Sequence, residues 1–239
     1  MKSLAIIPAR SGSKGLPDKN IIDLNGKPLM YYTIKAAIES ECFDEIMVST
    51  DSEKYALVAR ECGANIPFLR SIVNSSDCAG SWDVVREVLN EYKKIGICFD
   101  YVTLLQPTSP LRTSDDIIGV FNLLKKEYIN NVVSVSEVSH PIQWCFKLDE
   151  NNSMKELAES PYNYMRRQDL VKHYLENGAI YTVDAKKILN VDYNFYDDNC
   201  YAYIMDKNKS IDIDDEIDLM VASAVMKKVV RGLSSGGWN

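Results

Sequence analysis

Three cationic side chains lie close together directly after the first apolar segment of the chain. Arg10, Lys14 and Lys19 fall in the stretch ARSGSKGLPDKN, which overlaps the end of the apolar run LAIIPA. Guanidinium and ammonium groups bind phosphate oxygens, and Gly12 and Gly15 allow backbone N–H groups to turn toward an anion. The segment therefore predicts a polyphosphate site. A solvated, glycine-containing loop is the alternative that composition alone leaves open.

The loop matches neither of two common nucleotide-binding patterns. It contains no G-x-x-x-x-G-K-[ST] and no G-x-G-x-x-G sequence. A Walker A loop is therefore excluded, and a dinucleotide site is disfavoured.

Two carboxylates near the end of the chain have a spacing that suits a metal ion. In SIDIDDEIDL, Asp212 and Asp214 alternate with isoleucines, so an extended backbone places both carboxylates on one face. Mg²⁺ usually takes one or two carboxylates together with phosphate oxygens and water, and Mn²⁺ is a possible substitute. Asp215 and Glu216 then fit the first turn of a final helix. From these residues alone, an acidic cap at the start of the helix is about as well supported as a metal site.

Two further segments place polar side chains beside predicted element ends. In LQPTSPLR, Gln106 offers both a donor and an acceptor and Arg112 offers a cation, while the prolines stiffen the loop. In SSDCAGS, Ser81 lies at the start of a predicted helix, where it could meet the polar edge of a base or cap the helix. A stiffened turn and a simple cap are the structural alternatives.

Short apolar segments alternate with helical patterns along most of the chain. Strands are predicted at 3–9, 45–50, 100–105, 131–136 and 178–183, and helices at 28–39, 52–62, 81–94, 114–127 and 215–230. This alternation predicts an α/β domain with a mostly parallel sheet. Ligands of such sheets bind beyond the carboxyl ends of the strands, where the basic loop lies.

The predicted organisation is one domain over residues 1–230. An irregular, polar and aromatic insertion at about 139–176 reads as an arm or oligomer contact, and residues 231–239 read as a flexible tail.

Bulk composition excludes several classes of protein. The formal net charge of −7 over 239 residues argues against a general nucleic-acid binder. Six cysteines match no zinc spacing and read as reduced thiols. The N-terminal apolar run is too short for a signal peptide, and no segment approaches the roughly 20 apolar residues of a membrane span. We therefore expect a cytoplasmic protein.

The segment PARSGSKGLPDKNI resembles the signature of the acylneuraminate cytidylyltransferases, also called CMP-sialic acid synthetases. The resemblance continues in order through VSTDS, SSDCAGS, LLQPTSPLR, NGAIY and SIDIDDEIDL, and so spans nearly the whole chain. It implies a Rossmann-like nucleotide-diphospho-sugar transferase fold. It also implies a homodimer in which a small arm of each subunit reaches its partner.

The resemblance further implies an enzyme that couples CTP to a nonulosonic acid, giving a CMP-sugar and pyrophosphate. The residues that it assigns to catalysis are Arg10, Lys14, Lys19 and Asp214. Those assigned to the nucleotide are Arg10, Ser13, Lys14, Asn20, Arg70 and Ser81. Those assigned to the sugar are Gln106, Arg112, Gln143, Arg167, Asn177 and Tyr181, and Asp212 and Asp214 are assigned to Mg²⁺.

The chain departs from the family pattern on the acceptor side. Gln143 stands where the sialate enzymes carry a lysine after their HP turn, and Leu175 stands where they carry an arginine before NGAIY. Both differences remove positive charge near the sugar acid. Legionaminic acid or a related bacterial nonulosonic acid is therefore an alternative to sialic acid. A Kdo-type or other sugar nucleotidyltransferase, a glycosyltransferase of related fold and a non-catalytic binding module are the competing functions.

Overall fold

A computed structural model describes residues 1–12 and 15–234 of the chain. Ser13 and Lys14, and residues 235–239 of the predicted tail, lie outside the described residues. The strands are β1 (Ser3–Pro8), β2 (Asp23–Leu24), β3 (Lys27–Pro28), β4 (Glu45–Ser49), β5 (Tyr101–Leu104), β6 (Asn131–Glu137), β7 (Tyr174–Asp184) and β8 (Cys200–Ile204). The α-helices are α1 (Leu29–Ser40), α2 (Glu53–Glu61), α3 (Ser81–Lys94), α4 (Ser114–Leu124), α5 (Lys155–Ala158), α6 (Ala185–Ile188) and α7 (Glu216–Ser234).

Six strands form the central sheet in the order β4-β1-β5-β7-β6-β8. β7 runs antiparallel to β5 and β6, whereas the other pairings are parallel. The sheet is therefore mostly parallel, which confirms the predicted fold class. β1 lies between β4 and β5, so its carboxyl end is at the point where the strand order reverses. This is the usual ligand position in an open α/β sheet.

The alternating side chains of β1 show how the sheet is covered. Ala5 and Ile7 share one buried cluster with residues of α1, α2 and α4. Leu4 and Ile6 share a second cluster with residues of α3 and α6. A strand that is apolar on both faces needs helices on both sides of the sheet, and the helices here supply them.

A third, smaller cluster joins the two ends of the chain. Leu16, Leu24 and Leu29 pack with Ile213 and Ala222. Burial of Ile213, which has no exposed surface, holds the SIDID segment against the loop that follows β1. This cluster therefore supports the place where the predicted basic and acidic groups meet.

The insertion between β6 and β7 has little regular structure. It contains α5 and two short 3-10 segments, Ile142–Trp144 and Arg167–Asp169. Several of its apolar side chains are exposed, including Tyr164 at 95%. The boundaries differ from the prediction because β7 begins at Tyr174 and so includes the end of the predicted insertion.

Other differences from the predicted elements are local. The sequence analysis missed the β2–β3 hairpin, although Asn25 and Gly26 supply the two positive φ angles, 54° and 85°, that a type I′ turn needs. It also missed β8, a short edge strand. α7 continues to Ser234, four residues beyond the predicted end of the final helix at 230. No helix in the described ranges is long and apolar enough to cross a membrane.

Candidate active site

The loop after β1 is fixed by contacts with the ends of neighbouring elements. Ser11 donates two hydrogen bonds to the Asp51 carboxylate, from its backbone N–H at 2.9 Å and from its hydroxyl at 3.0 Å. Asn20 Nδ2 donates to the carbonyl of Arg10 at 3.1 Å. Asn20 is buried, and this bond fixes the backbone of the loop at Arg10. The described residues on either side of Ser13 and Lys14 are therefore held in place by contacts within the protein.

The basic loop meets the acidic segment directly. Lys19 Nζ lies 3.0 Å from Asp214 Oδ1, with Lys19 mostly buried and Asp214 77% exposed. Gly15 lies against the backbone of the same residue, because a Cβ built on Gly15 would come within 2.9 Å of the Asp214 carbonyl oxygen. Any other residue at position 15 would push these two segments apart.

The LQPTSPLR loop holds the acidic segment from the other side. Ile213 N–H donates to the carbonyl of Thr108 at 2.9 Å. A Cβ built on Gly178 would lie 3.2 Å from Gln106 Oε1 and 3.5 Å from Asp212 Oδ2. The amide oxygen of Gln106 and the carboxylate of Asp212 therefore both face the same glycine, whose φ of +74° suits a residue without a side chain.

The oxygen donors at this place fit a hard divalent cation. The SIDID segment has the predicted arrangement, with Ile213 buried and both aspartates exposed. The pKa of Asp212 is raised, mainly because neighbouring loops desolvate its carboxylate although the residue keeps an exposed surface, and further by the negative charge of Asp214. Two carboxylates that repel each other form a set that a cation relieves. The described residues contain no cluster of three or more His, Cys, Asp or Glu side chains placed to hold a metal.

A β-bulge in β7 brings Asn177 and Gly178 to the site. Opposite β6, Val133 pairs with Tyr181 and Val135 pairs with Glu176, so β7 has extra residues between these points. Asn177 is buried there, where its Nδ2 donates to the Ser210 hydroxyl at 2.9 Å. The bulge thus ties β7 to the segment that leads to Asp212.

Aromatic side chains lie beside this bulge. Tyr181 donates its hydroxyl to Glu176 Oε2 at 3.1 Å, and its ring meets Trp82 edge to face at 6.3 Å. Trp82 also packs on Phe195, with ring centres 4.6 Å apart. Burial and the nearby Glu176 raise the pKa of Tyr181, and Asp212 adds to this effect. Tyr181 is therefore within electrostatic reach of the acidic pair.

The two predicted arginines of the nucleotide side have different surroundings. Arg10 is partly exposed, and its Nη1 lies 2.5 Å from Asp77 Oδ1 in the loop before α3. Arg70 is buried and donates to the hydroxyl and the carbonyl of Ser49, at 3.0 and 2.5 Å. Burial lowers the pKa of Arg70 to about 10, while Asp51 opposes this shift and Arg10 adds to it. Arg70 thus lies at the end of β4, behind the basic loop.

Arg112 is buried between the LQPTSPLR loop and β7. Its side chain is 2% exposed, and its Nη1 donates to the carbonyls of Gln106 and Ala179, each at 3.1 Å. Burial lowers the pKa of Arg112 to about 9. The structure therefore uses this residue to join the LQPTSPLR loop to β7, and its direct contact with the sugar stays a prediction.

Within the described residues, three other predicted residues make no hydrogen bond or ion pair with this group. Ser81 is the first residue of α3, and the cap is Gly80, whose N–H is bonded by the Asp83 carboxylate. The suggested cap by Ser81 is therefore wrong, because the acidic side chain two residues later supplies it. Gln143 lies in the insertion, donating to the carbonyl of Val171 at 3.2 Å. Arg167 is exposed in the second 3-10 segment of the insertion.

Several residues of the site were missed in the sequence. The motifs VSTDS, SSDCAGS and NGAIY contain three of them, Asp51, Asp77 and Gly178. Their spacing does not show that Asp51 bonds to Ser11, that Asp77 pairs with Arg10 or that Gly178 lies beside Gln106. Glu176, the acid directly before NGAIY, was not among the predicted site residues.

Comparison with known proteins gives consistent results. The sequence model of one family, described as cytidylyltransferase, matches residues 4–219. The chain is 39% identical over 233 residues to an N-acylneuraminate cytidylyltransferase of Escherichia coli O18:K1:H7, covering 96% of this chain and 53% of that protein. It thus spans about half the length of that relative and of a similar Streptococcus agalactiae protein, of which it covers 52%.

Two shorter relatives are matched over nearly their whole length. A CMP-N,N'-diacetyllegionaminic acid synthase of Legionella pneumophila is 38% identical, with 95% of this chain and 97% of that protein covered. A pseudaminic acid cytidylyltransferase of Campylobacter jejuni is 37% identical, with the same coverage of 95% and 97%. Among solved structures, a CMP:2-keto-3-deoxy-manno-octonic acid synthetase complexed with CTP superimposes with a TM-score of 0.70 at 17% identity, covering 96% of this chain and 100% of that chain. At that identity the likeness shows the fold alone.

Proposed function

We propose, because the chain belongs to the cytidylyltransferase family, that it transfers CMP from CTP to a nonulosonic acid and releases pyrophosphate. The observation that carries this proposal is the meeting of the basic loop with the acidic pair through Lys19 and Asp214. A polyphosphate on the loop would lie beside carboxylates that can hold its counter-ion. The names of the relatives that match over nearly their whole length support the class of acceptor.

The reaction follows from the two substrates. The anomeric hydroxyl oxygen of the sugar acid attacks the α-phosphorus of CTP, and the bond from that phosphorus to the bridging oxygen of the β-phosphate breaks. Pyrophosphate leaves, and the hydroxyl proton passes to solvent or to a nearby base. Little covalent chemistry falls to the protein, so positioning and charge neutralisation account for most of the catalysis.

The residues of the basic loop take the phosphate side of this reaction. Arg10 and Lys19 would neutralise charge that builds on the α-phosphate and the leaving pyrophosphate. Lys14 and Ser13 are assigned the same region by the family resemblance. Asn20 shapes the loop through its bond to Arg10, and Arg70 lies behind the loop at the end of β4. Ser81, at the start of α3, would contact the base.

Asp212 and Asp214 would hold Mg²⁺, or Mn²⁺ in its place. A cation bound there would screen the phosphate oxygens and lower the pKa of the attacking hydroxyl. Without a cation, the two carboxylates would repel the triphosphate. They would therefore help to orient the substrates only when a cation is bound between them and the phosphates. Gln106 Oε1, close to Asp212 across Gly178, lies where it could orient the acceptor hydroxyl.

The acceptor would lie along β7 and the insertion. Asn177 and Tyr181 lie on the bulge, and Gln143 and Arg167 would approach from an arm. We propose that the protein is a homodimer whose arms reach across, a proposal supported by exposed apolar side chains such as Tyr164 and Val171. Without the lysine and arginine that the family pattern has at positions 143 and 175, a legionaminic-type acid fits at least as well as sialic acid. A cytoplasmic location is supported by six free thiols.

A coupled assay of pyrophosphate release tests the nucleotide. With Mg²⁺ and a mixture of nonulosonic acids, CTP should support release at least tenfold faster than UTP, ATP or GTP. Equal rates with several nucleotides would contradict the proposal. Release with Kdo alone among the acids would favour the Kdo-type alternative instead, and no nucleic acid should be needed in any arm.

A further inference from the structure

A cleft beside the candidate site is lined by tyrosines and one carboxylate. It has a volume of about 570 Å³ and is formed by β6, β7 and β8 and the chain before β8. Tyr174 and Tyr196 contribute aromatic rings and Glu176 contributes the carboxylate. Leu175 and Tyr201 line it by their backbone, because the strand register directs their side chains to the other face of the sheet. Neither the proposed phosphate contacts nor the proposed metal pair uses this cleft.

The position of Glu176 depends on the bulge in β7. Residues that are five apart in a regular strand lie about 16 Å apart, yet Tyr181 donates to Glu176 Oε2 over 3.1 Å. Glu176 also acts on Tyr196, whose pKa burial and this carboxylate together raise to about 12. Burial raises the pKa of the Cys200 thiol to about 11, with further contributions from the negative charges of Asp197 and then Glu176.

The charge of Glu176 is not cancelled by a basic neighbour. Within the described part of the chain it makes no ion pair, and no Lys or Arg lines the cleft. The nearest lysine in sequence, Lys172, is 2.7 Å from Glu137 instead.

Aromatic faces and an unpaired carboxylate form a set that binds cations. A ring face attracts a cation within about 6 Å of its centre, and the attraction grows when water is excluded. The ring of Tyr196 is held by an edge-to-face contact with Phe195, with ring centres 5.1 Å apart. Because Glu176 bonds to Tyr181 and adjoins Asn177, the cleft opens next to the proposed acceptor.

We propose that this cleft is a cation-binding subsite that takes a protonated amine or amidine substituent of the acceptor, with Glu176 as its specificity-determining residue. The proposal rests on the proposed function for the identity of the acceptor, but the subsite itself can be tested without turnover. It predicts selection for sugar acids that carry a positively charged nitrogen group away from the reacting carbon.

The first experiment titrates the protein with tetramethylammonium, observed by saturation-transfer NMR, and with tert-butanol as the neutral isostere. We expect saturable binding of the cation only, weakened at least about 5-fold in Glu176→Gln. Glu61→Gln, an exposed carboxylate on α2, should leave the binding unchanged. Absence of cation binding to the wild type would overturn the subsite. Equal binding by the wild type and Glu176→Gln would overturn it as well, and either result would leave the cleft as an apolar surface for a second copy of the chain.

The second experiment compares acceptors by kcat/KM: N-acetylneuraminic acid, its 9-amino-9-deoxy analogue and N-glycylneuraminic acid, which has an amine on the acyl group. At least one amine should exceed the neutral acid by about 10-fold in the wild type, and the ratio should fall toward one in Glu176→Gln. No preference for either amine would overturn the assignment to the acceptor, even if tetramethylammonium binds. Failure of every acid would contradict the proposed function, while the titration would still decide on the subsite.

Discussion

Lys19 Nζ lies 3.0 Å from Asp214 Oδ1, so one ion pair joins the loop after the first strand to the segment before the last helix. The two residues are 195 positions apart in the chain. Gly15, Leu16 and Ile213 pack around the same junction. The fold therefore brings together a cation of the basic loop and a carboxylate of the proposed metal pair.

Asp214→Asn should remove most of the activity and little of the stability. Its side chain is 77% exposed, and exposed ion pairs contribute only about 0–1 kcal/mol, so Tm should change little. We expect kcat to fall by about 100-fold or more at saturating Mg²⁺, because an oxygen ligand is lost. The rate is measured by pyrophosphate release and Tm by a thermal melt. Asp192→Asn, an exposed carboxylate after α6, is the control, and a near-wild-type rate in Asp214→Asn would remove Asp214 from the site.

Gly15→Ala tests the close approach of the two segments. Its Cβ would lie 2.9 Å from the Asp214 carbonyl oxygen. This contact is too short, so the backbone at position 15 or at Asp214 would have to move. We expect kcat/KM for CTP to fall about 10-fold or more, since small misplacements of reacting groups are costly. In Gly12→Ala no described atom lies within 4 Å of the new Cβ, so the loss should be smaller. Equal losses in the two variants would show that the approach of Gly15 to Asp214 has no catalytic consequence.

Asp212→Asn should lower the activity but raise the stability of the metal-free protein at neutral pH. The pKa of Asp212 in the folded chain lies above its ordinary value of 3.8, so the folded state holds this proton more tightly than the unfolded state. The ionised carboxylate therefore opposes folding above its folded pKa, and this cost disappears as pH falls through that value toward 3.8. At about pH 7 the variant should melt above the wild type, and the two should converge near about pH 4. A variant that melts lower at neutral pH would contradict the burial and repulsion inferred here.

Arg112→Met tests the buried arginine. It would leave the carbonyls of Gln106 and Ala179 without their shared donor, so the free energy of unfolding should fall by about 1–3 kcal/mol. Arg112→Lys should not restore it, because the lysine Nζ lies one bond nearer the backbone than Nη1, the atom that makes both hydrogen bonds. Arg60→Met, which loses one bond to the carbonyl of Ile66 on the surface, is the matched control. Denaturant unfolding measures the stability, and a rise only in KM for the sugar acid would instead favour direct contact with the acceptor.

The sequence was informative where the chemistry lies within one segment. The β1 loop and the alternation of Asp212 and Asp214 with isoleucines were visible as local patterns, and the resemblance placed them in one site. The bond between Glu176 and Tyr181 was not visible, because strand periodicity separates the two residues and only the bulge brings them together. The burial of Arg112 was also hidden, since an arginine beside a proline-stiffened turn is equally compatible with a surface contact and with a buried brace.

Formation of a CMP-sugar, observed by mass spectrometry in a reaction of CTP with single nonulosonic acids, tests the central claim most directly. With Mg²⁺ present, the wild type should give CMP-linked product from at least one sialic, legionaminic or pseudaminic acid, in amounts equal to the pyrophosphate released. Chelation of the metal and the Asp214→Asn change should each suppress that product. Folded wild-type protein that forms no CMP-linked product with any of these acids would contradict the account.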